Sequence, residues 1–199
     1  MTQRTIQFFY DFMSPYAYLA LHRLVPMAGE HGCVIEYMPV GLGDLKLQVG
    51  NTSPPTRDMP VKIRYIRTDL ARWAMKYGVQ LHKPTGYDSG RLNCATWFAA
   101  RKGDAHDYVT RAMKYVWNDG ISVESPELLK TLATELGWNH PELMDYLASI
   151  DVRQTLHQAN LAAAAKGVFG SPTMVLDDEI WWGNDRLDFL EQYLQETTS

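Results

Sequence analysis

The first forty residues constrain the fold more than any other part of the chain. Thr5 to Phe12 is an apolar run of strand composition, Ser14 to about His31 has helical spacing, and Cys33 to Val40 is again strand-like. Tyr18, Leu21, Val25 and Ala28 recur on one face of the middle segment and make it amphipathic. Gly32 stands where a helix is commonly closed. Pro26 removes one backbone hydrogen bond inside that helix, so a kink is expected there and not two separate helices. The three segments make a strand-helix-strand unit.

Such a unit normally leads quickly into another strand, but here about a hundred residues of helical pattern intervene. Met59, Ile63, Ile66, Leu70, Trp73 and Tyr77 mark one long amphipathic helix, begun by Asp58 with Pro60 in its first turn. Further helices are expected around Leu92–Lys102, Ala105–Trp117, Pro126–Leu136 and Pro141–Ser149, then from Val152 to Lys166, ended by Gly167. Strand patterns return at Thr173–Leu176 and Glu179–Trp182, joined by Asp177-Asp178 as a two-residue hairpin connection. A helix from Asp185 to about Glu196 closes the chain. The order βαβ, helical block, αββα is an α/β, thioredoxin-like fold with an inserted all-helical domain. Residues 1–40 and 152–199 then form the thioredoxin-like domain and 41–151 the helical insertion.

In thiol-disulfide enzymes of this architecture a C-x-x-C pair stands at the first strand-helix junction. This chain reads Ser14-Pro15-Tyr16-Ala17 there. The two cysteines, Cys33 and Cys94, are far apart and read as small apolar residues of a reduced, cytoplasmic protein. A net charge of −4 argues against a nucleic-acid partner. Ile6 to Met13 is interrupted by Asp11 and lacks a cleavage site, which argues against a secretory signal. No apolar run approaches the ~18 residues of a membrane span. The six histidines show no metal-ligand spacing. Val40-Gly41-Leu42-Gly43 lacks the third glycine of a dinucleotide loop.

Three places combine a local structural role with a possible chemical one. Ser14 before Pro15 suits a helix N-cap, and its hydroxyl could equally donate to an anion held at that helix end. Gly170-Ser171-Pro172-Thr173 suits a strand start, and the Ser171 backbone could pair with an extended peptide. Trp181-Trp182-Gly183-Asn184-Asp185-Arg186 suits a capped helix start, and Asn184 and Asp185 could hold the charged end of a small ligand. The proposed sheet brings the first two together.

Taken with GNTSPPTRDMPVKIRYIRTDLARWAMKYG in the insert, the segments FYDFMSPYAYLA, VFGSPT and WWGNDRL carry a resemblance over nearly the entire chain. The sequence resembles the bacterial 2-hydroxychromene-2-carboxylate isomerases, relatives of kappa-class glutathione transferases in the disulfide-oxidoreductase-like thioredoxin superfamily. The resemblance implies a cytoplasmic homodimer with glutathione as cofactor and a small aromatic carboxylate as substrate. It implies Ser14 as the hydroxyl facing the glutathione sulfur, and Ser171, Trp182, Gly183, Asn184 and Asp185 around the tripeptide. Lys46, Asn51, Arg57, Lys62 and Tyr87 would line the substrate cleft. The implied reaction is reversible thiolate addition that opens the chromene ring and ends at trans-o-hydroxybenzylidenepyruvate, in aromatic (naphthalene-type) hydrocarbon catabolism. Two alternatives stand beside it: a kappa-like glutathione transferase, and an inert thioredoxin-like binding module.

Elementary energetics are compatible with that role for Ser14. Lowering a thiol pKa by one to two units takes about 1.4–2.7 kcal/mol. A helix N-terminus supplies roughly 0.3–1 kcal/mol and a hydrogen bond to a charged group about 1.5–3 kcal/mol. Ionisation alone increases the thiolate population at most about thirtyfold, so substrate positioning must supply the rest. From Arg57 to Lys76 the insert carries six basic residues against two acids, a field that suits anionic ligands as well as a solvated helix face. Tyr87, Trp97 and Trp117 are candidates to stack on an aromatic ligand, or else core residues.

Overall fold

A four-stranded mixed sheet, in the order β2-β1-β3-β4, organises the molecule. The computed structural model describes residues 3–197, the side chain of Arg57 excepted. Strand β1 (Thr5–Tyr10) pairs in parallel with β2 (Val34–Pro39), and helix α1 (Pro15–Glu30) connects them. Strand β3 (Thr173–Leu176) runs antiparallel to β1, with Phe8 opposite Met174, and β4 (Glu179–Trp182) pairs antiparallel with β3. Asp177 and Asp178 both have positive φ, 50° and 68°, which a two-residue hairpin of the primed type requires. Helix α1 runs unbroken through Pro26 and is closed by His31 and the positive-φ Gly32, as expected.

Alternation along β1 divides the interior in two. Ile6, Phe8 and Tyr10 face the large core with Leu19 and Leu24 of α1. Phe9 points the other way, into a smaller cluster with Val40, Leu45, Ala163, Val168 and Val175. That second cluster is covered by two helices, α2 (Leu42–Gln48) and α8 (Val152–Ala165). Helix α2 was not among the expected helices.

Between α2 and α8 the chain is helical: α3 (Pro60–Tyr77), α4 (Gly90–Lys102), α5 (Ala105–Met113), α6 (Pro126–Glu135) and α7 (His140–Ser149). Helix α3 begins at Pro60 with Met59 as its cap, and the expected cap, Asp58, belongs to a short 3-10 turn just before it. The expected helix from Ala105 to Trp117 divides into two pieces, because Lys114–Asn118 widen into a π-helical turn. A 3-10 turn, Asn184–Arg186, leads into α9 (Leu187–Thr197). The helical region docks on the end of β1. Trp117 Nε1 donates to the Phe12 carbonyl at 2.8 Å, and the Tyr10 and Thr96 hydroxyls lie 2.6 Å apart. Trp117 is therefore a core residue with its indole N–H already committed. No helix among the described residues is long and apolar enough to cross a membrane.

Candidate active site

Ser14 is the N-cap of α1 and is almost wholly buried. Its Oγ accepts the Ala17 N–H at 3.2 Å and donates to the Ser171 carbonyl oxygen at 3.1 Å. The N-cap reading of Ser14 is met, and the same hydroxyl faces the second loop. Pro15 has no N–H and that of Ala17 is occupied. Among the described residues the Tyr16 N–H is then the donor of the first turn without a hydrogen-bond acceptor. The Tyr16 side chain faces α3, where Oη donates to Asp69 Oδ2 at 2.8 Å. Burial, reinforced by that carboxylate, raises the Tyr16 pKa, so the phenol stays protonated.

Ser171 precedes Pro172 across a cis peptide bond. Its Oγ accepts the Asp11 N–H at 3.1 Å, and the Pro172 carbonyl accepts the Gly183 N–H at 2.9 Å. These two bonds join the Ser171 loop to the end of β1 and to the end of β4. Gly170 has no room for a side chain, because a Cβ there would stand 2.5 Å from Trp182 Nε1. Trp182 itself is half exposed and packs at a tilt against Phe169, with ring centroids 4.9 Å apart. Gly183 has φ +102°, a conformation that suits glycine alone.

Asn184 is buried, and its Nδ2 has no hydrogen-bond partner among the described residues. Burial raises the Tyr77 pKa and the neighbouring Asn184 amide pulls it partly back, yet neither Asn184 Nδ2 nor Tyr77 Oη completes a bond of ordinary geometry. A buried donor without an acceptor is costly, and here it marks a place where a ligand oxygen would be welcome. Asp185 pairs with Arg186 at 2.7 Å, but both are half exposed, so the pair holds Asp185 only weakly.

The residues expected to line the substrate cleft are dispersed. Lys46 lies on α2, and its carbonyl accepts the Asn51 N–H at 2.8 Å, which places those two together. Tyr87 is held by its backbone: Glu124 Oε1 accepts the Tyr87 N–H at 2.7 Å and the Asp88 N–H at 3.0 Å, leaving the ring largely exposed. Lys62, on the exposed face of α3, makes no hydrogen bond or ion pair among the described residues. The Arg57 side chain lies outside the described residues.

Sequence reasoning missed Asp11 as a site residue. It is 4% exposed, and its carboxylate accepts from Met13 N, Ser89 Oγ, Asn93 Nδ2 and Leu42 N. The available signal was an acid inside an apolar strand pattern, used only to argue against a leader segment. Glu124 left no signal, since its partners are backbone groups distant in sequence. The two cysteines stay outside the chemistry: both are buried thiols, and burial pushes Cys94 up to about 12 and Cys33 up as well.

The fold and the site define a thioredoxin-type protein with serine, not sulfur, at the N-terminus of its first helix. Residues 5–195 match the family model described as DSBA-like thioredoxin domain. The chain is 39% identical over 191 residues to a 2-hydroxychromene-2-carboxylate isomerase of Sphingobium xenophagum, covering 96% of this chain and 98% of the relative. A solved structure of a 2-hydroxychromene-2-carboxylate isomerase superposes with a TM-score of 0.91 at 36% identity, covering 96% of this chain and 95% of the other. The chain belongs to the 2-hydroxychromene-2-carboxylate isomerase family, within the DSBA-like thioredoxin domain family. More distant is human glutathione S-transferase kappa 1, 22% identical over 209 residues, covering 97% of this chain and 92% of the relative. The fold is shared with a cytosolic disulfide reductase, DsbM of Pseudomonas aeruginosa, solved with GSH (TM-score 0.66, 20% identity, 96% and 98% coverage).

Proposed function

We propose that this protein isomerises 2-hydroxychromene-2-carboxylate to trans-o-hydroxybenzylidenepyruvate with glutathione as cofactor, in aromatic hydrocarbon catabolism. The near-full-length match in sequence and shape to an enzyme of that name carries the reading. Glutathione fits the residues present, for Asn184 offers a buried amide donor without a partner and the chain has no reactive thiol of its own at α1. When bound, glutathione supplies the thiol nucleophile that opens the chromene ring reversibly.

The chain's own residues bind, orient and stabilise charge. Ser14 Oγ–H and Tyr16 N–H converge at the positive end of α1, where negative charge is favoured. To serve an anion, the Ser14 proton must leave the Ser171 carbonyl, which frees that carbonyl for the backbone N–H of an extended peptide. Asn184 and Asp185 are the residues assigned to the charged γ-glutamyl end, with Trp182 and Gly183 beside them in the chain. Lys46, Arg57 and Lys62 are the cations assigned to the substrate carboxylate, with Asn51 as a hydrogen-bond partner and Tyr87 as the ring that covers the aromatic portion. We also place the protein in the cytoplasm as a homodimer. Its unpaired cysteines suit a reducing compartment, and the exposed Val61, Tyr65 and Met75 of α3 offer an apolar face for a second copy. Sedimentation at micromolar concentration checks the dimer.

The deciding experiment mixes protein, glutathione and the chromene carboxylate and follows isomer interconversion by absorbance while titrating free thiol. Interconversion with a constant thiol titre is expected. Loss of thiol in step with substrate indicates a transferase, and no turnover with no glutathione-induced thermal shift indicates a binding module.

A further inference from the structure

We infer that Asp11 is the positioning residue that fixes the substrate-binding wall relative to Ser14, an inference that rests on the isomerase reading and deepens it. Asp11 follows β1, and its two ends do different things. Its main chain holds the thiol side: the carbonyl accepts the Ser14 N–H at 2.8 Å, and the N–H donates to Ser171 Oγ at 3.1 Å. Its carboxylate holds the opposite side. Oδ2 accepts the N–H of Leu42 at 2.9 Å, and Leu42 opens α2 one turn before Lys46. Oδ1 accepts Ser89 Oγ at 2.5 Å, Met13 N at 2.9 Å and Asn93 Nδ2 at 3.3 Å. Ser89 is the cap of α4 and stands two residues beyond Tyr87. One residue therefore bonds to both loops of the thiol cradle and to two of the segments that carry substrate-side groups, α2 and the start of α4.

The choice of a carboxylate is informative. A negative charge behind an anion site opposes the anion, so Asp11 does not serve by electrostatic attraction. What a carboxylate offers is acceptance without donation, and all four of its partners are donors. An amide in the same place would turn its NH2 toward at least one of them. Asn93, fully buried, braces the arrangement by accepting Phe12 N at 3.3 Å and donating to Val40 O at 3.1 Å and Ser89 Oγ at 3.2 Å. Geometry, not charge, is what this cluster supplies.

Two substitutions cut the carboxylate's outer bonds and leave the thiol cradle intact. Leu42→Pro deletes the N–H that Asp11 accepts. The first helical position tolerates proline, and Gly41 before it is already extended at φ −92°, ψ 96°. Ser89→Ala deletes the second bond. Each is expected to raise KM for the chromene carboxylate about three- to tenfold, with glutathione Kd and the ionisation pH of the bound thiol unchanged. Asp11→Asn is expected to raise KM and also to lower kcat, because its amide disturbs Met13 and hence Ser14. Folded Leu42→Pro and Ser89→Ala proteins with wild-type KM overturn the inference, whatever becomes of Asp11→Asn. Amide exchange reads the tether without turnover: faster exchange over Leu45–Val49 in Leu42→Pro, and at Tyr87 and Asp88 in Ser89→Ala, is expected. Unchanged exchange in both overturns the tether, whereas a wild-type protein that fails to isomerise overturns the functional reading alone.

Discussion

The Ser14 hydroxyl and the Ser171 carbonyl, 3.1 Å apart, satisfy each other in the protein alone. An anion at the end of α1 must compete for that proton, and with Ser14→Ala it meets only the Tyr16 N–H. Bound-thiol pKa is expected to rise by about one unit and turnover to fall about tenfold, the worth of one hydrogen bond to a charged group. Thiolate absorbance titrated against pH measures the first, and an unshifted titration contradicts the role given to Ser14. Loss of the cap should also cost about 0.5–2 kcal/mol of stability, read as a lower Tm.

Asp185→Ala separates binding from folding. The Asp185–Arg186 pair is half exposed, so stability should stay within about 0.5 kcal/mol of wild type. Glutathione affinity should fall about tenfold, the loss expected of one charge-assisted contact. Calorimetry decides: an unchanged Kd removes Asp185 from the tripeptide site.

Glu124→Ala removes the carboxylate oxygen that accepts both the Tyr87 and Asp88 N–H groups. KM for the chromene substrate should rise about threefold or more while glutathione binding is unaffected. The N–H groups of Tyr87 and Asp88 hold the Glu124 carboxyl below its ordinary 4.5. The clamp is thus complete above that value and is lost as pH falls through the lowered one. Wild-type KM should climb only in that acid range, and KM in Glu124→Ala should not follow it.

Asp44 anchors α2 to α8. Partial desolvation would raise its pKa, but hydrogen bonds from Asn160, His157 and Gln48 outweigh that and hold it below 3.8. A carboxyl depressed in the folded state contributes stability above its unfolded value and loses it as pH falls through the folded one. The gap in Tm between wild type and Asp44→Asn should therefore be widest near neutrality and close in acid. A gap independent of pH contradicts the linkage.

Most of the architecture was legible because apolar periodicity fixes strands and long helices. Ser14-Pro15 announced a helix start, and Asp177-Asp178 a hairpin. Helix α2 escaped because its seven residues bury only Leu45, and its first N–H is satisfied by Asp11, thirty-one positions away. Asp58 has the chemistry of a cap, yet Pro60 permitted Met59 to open α3 without a side-chain bond. The π-helical turn at Lys114–Asn118 contains Trp117, whose indole N–H bonds to the Phe12 carbonyl 105 positions away, a tertiary contact without a local code. At the site, single segments declared themselves, whereas Asp11, Asn93 and Glu124 gain meaning only from partners the fold delivers.

The serine at the head of α1 has one more consequence. A side-chain sulfur that is over-oxidised disables its protein for good, because sulfinic and sulfonic acids are rarely repaired. Here the two resident thiols are buried and poorly ionised, and the working sulfur is read as a visitor. With glutathione as the proposed cofactor, oxidative damage would leave with a small dissociable molecule, and the macromolecule would return to service at the next exchange.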